Sequence, residues 1–244
     1  MKLQKIIDVI EKIAPQENAC EWDNVGLMIG NPDCEISRVV ISLDFDENAV
    51  KTAVENSANL IITHHPAIFK TLSRITDKLI IETIKNDICV YSAHTNFDCA
   101  VGGVNYALAE KIEMYDCVQY DMMRVGRIKE ASLSNVVNCV KEKLDTSSVR
   151  VVGDLDKPIK KVAVLGGSGG DFASMAFNLG CDLLVTGECK YNDAQEAHKL
   201  GISVIAAGHF ETEYPAVQKL ADVLKTRIDV DIIEAKPFNV YRSI

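Results

Sequence analysis

Four of the five histidines, His64, His65, His94 and His209, stand where apolar, β-branched runs end: NLIITHH, ICVYSAH and ISVIAAGH. Two carboxylates follow at equal spacing, Asp98 four residues after His94 and Glu213 four after His209. Ligands of open α/β sheets collect outside the carboxyl ends of the strands. Neutral imidazoles and carboxylates together suit zinc, iron, manganese or nickel. Three or four such ligands hold one ion. Five or six, with a carboxylate able to bridge, suit two ions about 3.5–4 Å apart, and adjacent histidines then serve one each. Successive side chains of an extended segment face opposite ways. Pro66, however, keeps His65 out of helical geometry, so the chain turns at the strand end and both rings approach one place. If a helix starts at His209, the i, i+4 spacing stacks His209 and Glu213 on one face.

The elements that must position these groups alternate along the chain. Strands are expected at 38–44, 59–64, 88–94, 161–166, 182–187 and 202–208, with one or two more around Pro237. Helices are expected at 3–13, 47–56, 78–86, 104–112, 132–143, 172–179, 192–199 and 213–225. An internal echo runs through this order. RVVISLDFDENAVKTAVENSANLIITHHP aligns without gaps on KVAVLGGSGGDFASMAFNLGCDLLVTGEC, so that Val39 falls on Val162, Leu60 on Leu183 and Thr63 on Thr186. ICVYSA then matches ISVIAA. The fold class expected is α/β: two similar α/β halves with mixed sheets packed by helices, and a cleft between them as the natural ligand site. The first half spans 1–116, with 230–244 a candidate to return to it; 117–158 reads as a connecting segment and 159–229 as the second half.

Composition narrows the function classes. The 244 residues are 48% hydrophobic and 25% charged, enough for a sizeable core. No apolar stretch reaches the roughly 18–20 residues that span a membrane, so no membrane partner is expected. The opening MKLQKIIDVIEKIAP is an amphipathic helix rather than a signal peptide. Eight cysteines form no CxxC pair, as in a reduced cytoplasmic protein. The net charge of −9 argues against a nucleic-acid partner but leaves room for a small phosphorylated ligand. The loop LGGSGGDF, with Gly166–Gly170, follows a strand and precedes a helix. It serves either as a phosphate cradle or as a tight turn. Trp22 reads as a core or interface anchor, with Asp23 and Asn24 as cleft-lining polar groups; Asp44 and Asp46 read as caps of the helix at 47–56 in preference to site-facing acids, and His198 as a structural helix residue.

EWDNVGLMIG (21–30), THHP (63–66), AHTNFDCAVGGVN (93–105), TGE (186–188) and GHFETE (208–213) occur in this order along the chain. Together they resemble the dinuclear-metal family called GTP cyclohydrolase I type 2 homologs, or Nif-three-like proteins, in its short form without an inserted domain. The resemblance implies two divalent metal ions per chain in the cleft, ligated by His64, His65, Asp98, His209 and Glu213, with Asp98 or Glu213 bridging. It places His94 beside the site, as a neighbour of the ligands or as an acid/base group. Glu188, His94 or a spare carboxylate are the candidate proton carriers. It implies a metal-dependent hydrolase of a nucleotide-like or phosphorylated small molecule, assembled as a toroidal homohexamer. A non-catalytic metal-binding scaffold, metal-delivery or regulatory protein is the alternative. One departure stands out: Asn192 takes the place where relatives carry a histidine after TGE.

Overall fold

The apolar runs that end in histidine become the central strands of two sheets. The computed structural model describes residues 1–241. They divide into two units, one of residues 1–103 and 217–240, the other of residues 104–216 with Tyr241.

In the first unit, helix α1 (Leu3–Glu11) buries Leu3, Ile6, Ile7 and Ile10 along one stripe. Strands β1 (Gly26–Ile29) and β2 (Arg38–Ser42) follow, then α2 (Glu47–Glu55), β3 (Leu60–Thr63), α3 (Lys78–Lys85), β4 (Cys89–Ser92) and the short α4 (Thr95–Cys99). Strands β2, β3 and β4 are parallel neighbours, and β1 lies antiparallel on β4. All four residues of β3 and of β4 are buried, as expected for strands covered on both faces. Helices α2 and α3 begin at side-chain caps, with Asp46 accepting from Ala49 N at 2.8 Å and Asp77 from Leu79 N at 2.8 Å.

The second unit begins with α5 (Val104–Lys111), β5 (Tyr115–Tyr120), β6 (Met123–Ser132), α6 (Leu133–Lys143), β7 (Arg150–Val152) and β8 (Pro158–Leu165). It continues through α7 (Ala173–Asn178), β9 (Leu183–Thr186), α8 (Tyr191–Leu200) and β10 (Ser203–Ala206). Helix α9 (His209–Arg227) then leads to β11 (Asp231–Glu234), which pairs in parallel with β2 and completes the first sheet as β1-β4-β3-β2-β11. The second sheet runs β5-β6-β8-β9-β10-β7, with β8, β9 and β10 parallel. Its strands feed two cores by alternation: Val162 and Val164 face one side with Leu133 and Val140, Ala163 and Leu165 the other with Met123 and Val125.

The sequence echo is a structural one. β2-α2-β3 and β8-α7-β9 are the same β-α-β unit, and β4 and β10 each add a parallel strand after it. The registers coincide as well: Val39 pairs with Leu60 as Val162 pairs with Leu183. The stretch 117–158, read as a connector, instead contributes most of β5 together with β6 and β7 to the second sheet, and α6 packs on that sheet through Leu133, Val136 and Val140. β5 and β7 are half-exposed edge strands without long apolar runs, so they leave little periodic trace. Among the described residues no helix is long and apolar enough to cross a membrane.

Candidate functional site

The first unit gathers its donors at the carboxyl ends of β3 and β4. Past the end of β3, His64 N still donates to Ser42 O (3.3 Å) and His65 N to Leu43 O (2.9 Å), so the pair remains beside the end of β2. Thr63 Oγ1 donates to His65 O at 2.8 Å and draws the backbone around at Pro66. The two rings, which strict alternation would separate, come to 5.0 Å between centroids. His94 follows β4 and opens α4; its ring lies 5.1 Å from that of His64 and 5.6 Å from that of His65. Ligating atoms of His64, His65 and His94 all fall within 4.8 Å of one another. One turn into α4, Asp98 brings Oδ1 to 3.7 Å from His64 Nε2. Asp98 is 7% exposed.

Each of these imidazoles is held through Nδ1. His64 Nδ1 lies 2.9 Å from Ala93 O, His65 Nδ1 2.7 Å from Asp44 Oδ1, and His94 Nδ1 2.9 Å from Asp23 Oδ1. A proton kept on Nδ1 leaves the Nε2 lone pair as the ligating group, the arrangement that prepares a histidine for a metal. Asp23 is itself well anchored, since Thr95 N donates to it at 3.0 Å and Thr95 Oγ1 at 2.5 Å. Burial pulls the Asp23 carboxyl up, but the His94 and Thr95 hydrogen bonds outweigh it and hold the group well below the usual carboxylate range.

The second unit builds a matching station at the ends of β9 and β10. Helix α9 begins at His209 itself, four residues ahead of the expected start, which puts His209 and Glu213 one turn apart. His209 Nε2 lies 3.2 Å from Glu213 Oε2, and His209 Nδ1 lies 3.2 Å from Glu188 Oε1. Glu213 is 4% exposed. A carboxylate so buried needs strong compensation, and a cation suits it, as one suits Asp98. The donor set therefore fits a divalent ion: imidazole Nε2 atoms, buried carboxylates, and oxygens holding the imidazoles from behind.

The glycine-rich loop serves this second station by packing. Gly166 N donates to Asn105 Oδ1 (2.7 Å), Gly167 N to Thr212 Oγ1 (3.1 Å), Gly169 N to Thr186 Oγ1 (3.0 Å) and Gly170 N to Glu188 O (3.1 Å). With these amides engaged inside the protein, the loop acts as a tight turn rather than a phosphate cradle. A side chain at Gly167 would meet Glu213 and His209.

Several residues take roles their sequence positions did not declare. Asp46 caps α2 as expected, but Asp44 holds His65. The signal for Asp44 is the parallel register: Ser42 pairs with Thr63, so Asp44 travels beside His65. Asp23 orients His94, and Asn24 Nδ2 donates to Ile68 O. Trp22, read as an anchor, is 61% exposed. Exposed Asn192 sits at the start of α8, and His198 occupies its last turn.

A family model described as Duf34/NIF3 (NGG1p interacting factor 3) matches residues 1–238. A Clostridium perfringens protein named GTP cyclohydrolase 1 type 2 homolog is 38% identical over 247 residues, covering 95% of this chain and 94% of that protein. The crystal structure of a Staphylococcus aureus hypothetical protein superposes with a TM-score of 0.93 at 26% identity, covering 100% of this chain and 99% of that one. Reduced HcgD from Methanocaldococcus jannaschii superposes with a TM-score of 0.85 at 31% identity, covering 96% and 98%. By the extent of the model match and the identity to its relatives, this chain belongs to the Duf34/NIF3 family.

Proposed function

We propose that this protein binds two divalent metal ions per chain through His64, His65, Asp98, His209 and Glu213, and uses them to hydrolyse a nucleotide-like or phosphorylated small molecule. The observation that carries the reading is the treatment of the histidines. His64, His65, His94 and His209 each have Nδ1 on an oxygen, and that leaves Nε2 to ligate. Asp98 and Glu213 would supply the carboxylate ligands in this reading. Bound ions would lower the pKa of a shared water and polarise the attacked centre. His94, fixed by Asp23, is the group we assign to proton transfer beside the ligands. Glu188 keeps His209 in its ligating tautomer, and its half-exposed carboxylate is the second proton carrier. The relatives' name, GTP cyclohydrolase 1 type 2 homolog, supports a nucleotide-like substrate.

A scaffold or metal-delivery role is the second reading. It is favoured by Asn192 and by the description of the family as interacting factors. The two separate in one experiment. Hydrolysis of GTP or of a phosphoester panel should require added zinc, iron or manganese and vanish in His64→Ala. Metal bound without turnover on any of these compounds would sink the hydrolase and leave the scaffold.

A further inference from the structure

Trp22 is the chain's only tryptophan, and most of its indole is in solvent. It is nevertheless held in place. The next residue, Asp23, is gripped by His94 and Thr95, and Asn24 ties the segment to the backbone at Ile68. This brings Trp22 to 6.0 Å from the ring of Phe69, which is 46% exposed, with 39° between the ring planes. Both rings meet His94 edge-on, at 6.2 and 6.3 Å between centroids and 75° between planes. Two exposed aromatic faces diverge beside a histidine of the candidate site.

Beyond Phe69 the same loop borders a cavity of about 410 Å³ lined also by Lys70, Leu72, Arg74, Asp77 and Ile80. Lys70 and Arg74 are both exposed. Asp77 supplies the opposing charge, but its carboxylate caps α3 through Leu79 N and Ile80 N. The cavity thus offers two cations one ring away from the aromatic pair, with Phe69 common to both.

We propose that Trp22 and Phe69 form a stacking platform for a planar heteroaromatic ring, and that Lys70 and Arg74 receive an anionic group carried by the same molecule. Aromatic faces accept any flat base, and lysine and arginine supply charge-assisted hydrogen bonds to phosphate or carboxylate. This specifies the substrate class of the proposed hydrolase, and rests on that reading only in taking the ligand to be the molecule acted on. Stacking itself needs no metal.

The single tryptophan is its own reporter. Metal-free, full-length protein is titrated with adenosine 5′-monophosphate, adenosine or ribose 5-phosphate while indole emission is followed, with excitation at the red edge of the indole band. Saturable quenching is expected with the monophosphate, weaker binding with adenosine, and no change with ribose 5-phosphate. Phe69→Leu keeps an apolar side chain and should weaken monophosphate binding about 5- to 150-fold, the range for losing one stacking partner. Joint replacement of Lys70 and Arg74 by alanine should reduce the monophosphate to the affinity of adenosine. No saturable quenching by the monophosphate, or undiminished affinity in Phe69→Leu, overturns the proposal. His64→Ala should keep the quenching in this assay and, in a separate elemental analysis after reconstitution with zinc, retain less metal than the wild type. Failure of the platform is thereby told apart from failure of the metal reading.

Discussion

Replacing Gly167 with alanine puts a methyl group where the structure has the Glu213 carboxylate. The new Cβ would overlap Glu213 Oε1 and stand 3.2 Å from both Glu213 Cδ and His209 Nε2. Gly167 also has φ of +63°, which costs an L-residue about 1–2 kcal/mol. Gly180 offers the matched control, with φ of +73° and nothing within 4 Å of its would-be Cβ. Both variants should therefore lose about 1–2 kcal/mol in urea unfolding of the metal-free protein. Only Gly167→Ala must also move the carboxylate of Glu213, the proposed ligand, because the flexible end of that side chain yields before the backbone does. Its metal affinity should fall about 10- to 100-fold, or roughly 1.4–2.8 kcal/mol. Competition against a chromogenic chelator, at fixed pH, measures that difference. If Gly167→Ala binds metal as tightly as Gly180→Ala, Glu213 is not a ligand and the packing role of the loop has been misread.

Other groups yield further expectations. Asp44→Asn removes a charged acceptor from His65 and should weaken metal binding about 10- to 100-fold, with unfolding little changed because Asp44 is half-exposed; chelator competition and urea melts read both. Asp23 has a folded-state pKa depressed below its unfolded one, so its stabilisation is full above the ordinary carboxylate range, about pH 4, and is lost as pH falls toward the depressed value. Asp23→Asn should accordingly flatten the acid limb of a stability-versus-pH curve, and an unchanged limb would contradict the assignment. The hexamer implied by family resemblance is expected from light scattering at micromolar concentration, where a 26.8 kDa monomer would refute it.

The parts legible in the sequence were those with strong local signals. β3, β4, β9 and β10 are uninterrupted apolar runs, and the histidines at their ends mark the sheet edge where donors collect. The β-α-β echo marked two similar halves, and the structure gives both the same parallel register. β1, β5 and β7 escaped because edge strands alternate weakly and take much of their definition from a partner strand. Asp23 and Asp44 stood out as polar groups, but the histidines they hold were not legible, for another reason. Asp23 reaches His94 across 71 positions and Asp44 reaches His65 across 21, contacts that exist only once the strands are laid side by side. Asp44 also sits just before a helix start, where an aspartate has an ordinary reason to be.

The metal content of tag-free protein tests the central claim most directly. After reconstitution with zinc, iron or manganese and gel filtration, elemental analysis should find about two ions per chain for at least one of these metals. His65→Ala and Glu213→Ala, compared under the same conditions, should each retain less. A wild-type protein that emerges without stoichiometric metal from all three reconstitutions would contradict the account, whatever its activity.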